Sequence, residues 1–61
     1  MNNKKIRLAA FERGIKYYEI AAALNISPYT LSHQMKVELS KEKTAEILNV
    51  IDRLSLRANR R

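Results

Sequence analysis

Sixty-one residues carrying twelve Lys and Arg against six Asp and Glu, a net charge of +6, make one domain with room for only a small core. The absence of cysteine removes disulfides and thiolate metal sites, and the apolar runs fall far short of the roughly 20 residues that span a bilayer. The basic excess excludes nothing about the fold but selects an anionic partner, nucleic acid or an anionic membrane surface, and the opening MNNKKIR lacks the apolar stretch of a signal peptide. We expect a soluble, cytoplasmic protein.

One glycine and one proline leave little material for turns, and helix formers dominate. The expected class is therefore all-α, a small four- or five-helix bundle, with residues 1–61 as one unit. The first predicted helix runs from about Asn3 to Arg13. Ile6, Leu8, Ala9 and Phe11 are assigned inward, and Lys4, Lys5, Arg7, Glu12 and Arg13 outward. Gly14 follows the basic last turn in the place of a left-handed closing residue. Ile15 should then fold back on the core.

A second predicted helix spans about Lys16 to Leu24, closed by Asn25, the residue after glycine that best tolerates positive φ. Ser27 and Pro28 mark the next start. The serine hydroxyl can accept an amide hydrogen bond, and proline at the first helical position loses no bond. Only Asn25, Ile26 and Ser27 separate the two helices, which sets them at a steep angle and lets the third protrude. Ile20, Leu24 and Leu31 are assigned to the core. After a connection at 37–39, Ser40 starts the longest helix, about 41–57, with Thr44, Ile47, Leu48, Ile51, Leu54 and Ser55 on one stripe. The tail 58–61 is expected to fray.

The segment from Tyr17 to Lys36 resembles the helix-turn-helix of the lambda-repressor-like, Cro-type family, closest to short phage and mobile-element proteins of Gram-positive bacteria. The likeness covers about Ile6 to Leu54. Its anchors are Gly14-Ile15, Glu19-Ile20-Ala21, Leu24-Asn25-Ile26-Ser27, Thr30-Leu31-Ser32 and Glu38-Leu39-Ser40 leading into Ile47-Leu48 and Ile51. Asn25 stands in place of the usual turn glycine, Tyr17 where glutamine is common, and Ala10 with Met35 in place of a frequent Arg and Glu pair. The resemblance implies a dimeric DNA-binding domain whose second motif helix enters the major groove.

On that reading the outward face of the third helix carries Tyr29, Thr30, His33 and Lys36 with Pro28 and Ser32 beside them, because Leu31 and Met35 are a turn apart and face inward. Pro28, Tyr29, Thr30, Ser32 and His33 are the candidates for reading bases. None is Arg, Asn or Gln, so no bidentate code is available and groove shape should carry much of the selectivity. Phosphate contacts are assigned to the amides opening the second helix, to Lys16, Tyr17 and Lys36, and to Lys4, Lys5 and Arg7. Val50, Leu54 and Leu56 form a second apolar strip on the last helix, expected to be the two-fold contact of a homodimer on a palindromic operator.

Blander roles are assigned to the remaining residues. His33 has neither a cysteine nor a second histidine beside it and is read as solvated or DNA-facing, not as a metal ligand. Tyr18 is assigned to packing near the first helix, Lys41 and Lys43 to a solvated first turn, and Arg57, Arg60 and Arg61 to helix-end charge. No catalytic constellation can be assembled from one histidine and one aspartate without a glycine-rich loop, so no enzyme activity, cofactor or metal is expected. The expected function is a DNA-binding repressor. Its rivals are an antirepressor or modulator that binds another regulator protein, and an accessory factor for excision or transfer.

Overall fold

The computed structural model describes residues 2–59, with side chains described as far as Leu56. Within these residues the chain is all-helical: α1 (Lys4–Arg13), α2 (Tyr17–Ala23), α3 (Pro28–Gln34) and α4 (Lys41–Asn59). α1 packs on α4, and α2 packs on both α3 and α4. Ile6 and Ala10 of α1, Ile20 and Ala21 of α2, Leu31 of α3 and Ile47, Val50 and Ile51 of α4 meet in one core, joined by Ile15 and Met35 from the connections. Residues 60–61 of the tail, like the side chain of Arg57, lie outside the described residues.

The ends of α1 and α2 use the same device. Gly14 sits at φ 67°; its N–H donates to the Phe11 carbonyl at 3.2 Å, and the Ile15 N–H donates to the Ala10 carbonyl at 2.9 Å. Asn25 sits at φ 62°, with its N–H on the Ala22 carbonyl and the Ile26 N–H on the Ala21 carbonyl at 2.9 Å. In both cases a left-handed residue turns the chain so that the next apolar side chain falls back on the helix it has just left. A Cβ on Gly14 would meet nothing within 4 Å, so the demand for glycine is one of backbone conformation alone.

The N-termini of α3 and α4 are capped by serine. The Thr30 N–H donates to Ser27 Oγ at 3.1 Å, with Pro28 in the first turn, and the Lys43 N–H donates to Ser40 Oγ at 3.1 Å. Replacing Ser27 by alanine is expected to lower stability by about 1 kcal/mol in urea titrations, with the slope unchanged.

Four side chains lie differently from the sequence assignment. Leu8 and Phe11, expected inside, are exposed, and Ala10 takes the inward place. At 3.6 residues per turn Leu8 lies about 200° around the helix from Ile6, so the two cannot share a face, whatever their hydropathy. Tyr18, assigned to packing near the first helix, is likewise exposed. Val50, assigned to an outer strip, is 5% exposed. It follows Ile47 by three residues and precedes Leu54 by four, so it belongs to the same broad inward stripe.

Candidate nucleic-acid interface

Leu31 and Met35, both buried, fix which side of α3 faces the core, and the remainder of the helix follows from that. Pro28, Tyr29, Ser32, His33 and Lys36 are exposed. Tyr29 and His33, one turn apart, lie with ring planes 19° from parallel and centroids 6.3 Å apart, giving the helix a flat outer ridge. Thr30 is half-buried, and its Oγ1 lies 2.9 Å from Ser27 Oγ, so its hydroxyl already serves the cap. No carboxylate occurs between Ile20 and Val37. Those at the two margins are held on backbone amides: Glu19 accepts from the Lys16 N–H at 2.9 Å and Glu38 from the Asn3 N–H at 2.8 Å.

The structure divides the residues assigned to phosphate. Lys16 and Lys36 are exposed at opposite ends of the α2–α3 segment. Of the amides opening α2, the one at Lys16 already has an anionic partner in Glu19. Tyr17 is half-buried, and its hydroxyl oxygen accepts from a guanidinium nitrogen of Arg7 at 3.2 Å. That leaves the phenol's own proton to donate outward, beside a fixed positive charge.

Arg7 is corrected from an outward cation to a half-buried tie. Besides Tyr17 it donates from Nε to the Asn2 carbonyl at 2.8 Å and from a terminal nitrogen to the Met35 carbonyl at 3.3 Å. Lys4 and Lys5 are both exposed but diverge. Lys4 borders a groove shared with Arg7 and Tyr17, and also a second groove on the α4 side of α1; Lys5 borders only the second, with Glu38, Leu39 and Lys41.

The residues that hold α3 in place had no signal in the periodicity. Asn3 is 2% exposed and adopts φ 59°. Its Nδ2 donates to the carbonyls of Met35 at 3.0 Å and Val37 at 2.8 Å, and its Oδ1 accepts from the Leu39 N–H at 2.8 Å. Asn2 adds a bond from Nδ2 to the Lys36 carbonyl at 2.6 Å. The carbonyls of the connection that leaves α3, at Met35, Lys36 and Val37, are thus satisfied by a segment more than thirty residues away. An asparagine just ahead of a helix is compatible with positive φ, which is the one clue the sequence offers.

On α4, Val50 is taken up by the core and withdrawn as a dimer contact; Leu54 is half-buried and Leu56 exposed. Arg13 and Asp52 join α1 to α4 by an ion pair at 2.6 Å, with both side chains about half exposed, so its contribution is small. Among the described residues, no three His, Cys, Asp or Glu side chains come together as a metal site, and no helix is long and apolar enough to cross a membrane. No protein-family model matches the chain, and no curated protein or solved structure matches it.

Proposed function

We propose that this chain is a cytoplasmic, sequence-specific regulator of transcription that binds double-stranded DNA as a homodimer and represses by occupying an operator, with α2 and α3 as its helix-turn-helix within a small bundle. One observation carries the reading: the outer side of α3 is left open by the described residues and free of carboxylates, with Lys16 and Lys36 exposed at the two ends of the α2–α3 segment. α3 lies in the major groove. Pro28, Tyr29, Ser32 and His33 meet the base edges, Lys16, Lys36 and the Tyr17 hydroxyl meet phosphates, and Arg7 supports Tyr17 from behind. Leu54 pairs with its copy across a two-fold axis, which sets the two α3 helices about 34 Å apart, while Leu56, about 200° around α4 from it, lies outside that contact.

Selection of bound sequences from a random duplex pool tests this proposal. A recovered palindrome with half-sites one helical turn apart supports it, and a pool that stays random opposes it. Affinity should also fall steeply with salt. A dimer that neutralises about six phosphates loses roughly a thousandfold between 50 and 200 mM salt, measured by fluorescence anisotropy.

A further inference from the structure

Phe11 is 84% exposed and Leu8 is 50% exposed, and the two lie one turn apart on the side of α1 that faces away from the core. With Ala10, Ile15 and Tyr17 they line a groove of about 470 Å³, bordered by Lys4 and Arg7, with no carboxylate on its lining. We propose that this groove docks an acidic amphipathic helix of a different protein, and that docking there displaces DNA.

The length fits such an occupant. Lys4 to Phe11 covers about 10 Å of helix axis, so a partner helix of two turns can lay apolar residues spaced by three and four into the floor. The charge fits as well, because carboxylates on the margins of that helix would meet Lys4 and Arg7.

A second copy of this chain is a poor occupant. It carries the same net charge of +6, and four of its six carboxylates are already engaged. Glu19 and Glu38 are held by backbone amides, Glu46 by Lys43 at 3.4 Å and Asp52 by Arg13. DNA cannot fill the floor either, since a phosphate backbone offers nothing to an exposed phenylalanine and leucine. It can, however, reach the border. Tyr17 lines the groove and is also a proposed phosphate contact, so a partner's carboxylates and the DNA backbone compete for the Tyr17 hydroxyl and the Arg7 guanidinium behind it. This exclusion rests on the DNA-binding reading, whereas the docking itself does not.

The probe is a synthetic helical peptide with leucines along one face and glutamates along both margins; its lysine counterpart and vesicles of anionic phospholipid serve as controls. Titration into the isotope-labelled protein should shift the amides of Leu8, Phe11, Ile15 and Tyr17. Phe11→Ala, a change at an exposed side chain, should weaken the peptide roughly tenfold while leaving duplex affinity within about twofold. In anisotropy at low salt the peptide should release a bound duplex from the unaltered protein and not from Phe11→Ala. Docking is overturned if the lysine peptide or the vesicles bind as well as the acidic peptide, or if Phe11→Ala binds it unchanged. Peptide and duplex bound together would overturn the displacement, and a protein that takes the peptide but no duplex would instead sink the DNA-binding reading.

Discussion

Replacing His33 and Lys36 together by glutamate is expected to abolish duplex binding and to leave the fold intact. Both side chains are exposed on α3 and just beyond its end, so neither change touches the core. In the proposed complex each new carboxylate faces the phosphate-lined walls of the groove. Like charges brought together at an interface cost several kcal/mol, and two of them should lower affinity by more than about a thousandfold. The effect on stability is of another order. Acidic residues close to a helix C-terminus cost about 0.3–1 kcal/mol each, a shift of a few degrees in melting temperature. Anisotropy and circular dichroism separate the two outcomes. Lys36→Ala should be milder: each homodimer loses two phosphate contacts, so the salt slope should fall by about two.

The second large effect concerns stability. Asn3→Ala is expected to destabilise the protein by about 3 kcal/mol, since it leaves the Val37 carbonyl and the Leu39 amide without their side-chain partner and forces alanine into a left-handed conformation. The Met35 carbonyl would keep Arg7 as its donor. A domain of this size has only about 3–9 kcal/mol in total, so the melting temperature should fall by roughly 15 °C or more. If the melting curve hardly moves, the Asn3 bonds are not what fixes the end of α3. Glycine at the same position should recover the part lost to backbone strain and none of the part lost to hydrogen bonding, which apportions the two.

The limits of the sequence follow from the range of each interaction. Ser27 with Pro28, Gly14, Asn25 and Ser40 gave the helix boundaries to within a residue or two, because a cap is made by groups three to five positions apart and its chemistry is local. The inward side of α3 was equally legible, since Leu31 and Met35 leave a short helix only one way to face. α1 was not. It carries apolar residues on two opposed sides, Ile6 and Ala10 against Leu8 and Phe11, and composition alone cannot say that one of those sides stays outside. Val50 was misplaced for a related reason, because the width of an inward stripe depends on how many helices lean on it, and both α1 and α2 pack against α4.

Arg7 and Asn3 lay beyond any local rule. Their partners at Tyr17, Met35, Val37 and Leu39 are ten to thirty-six positions away. A residue that reads as a surface cation, and another that reads as a helix's first residue, together settle how the proposed recognition helix is held.

The most direct measurement is amide shift mapping of the isotope-labelled protein with the duplex recovered by selection. The largest shifts should fall on residues 28–36 and on Lys16 and Tyr17, with the exposed side of α1 at Leu8 and Phe11 quiet. Shifts concentrated on α1 or α4 while α3 stays still would contradict the proposed interface.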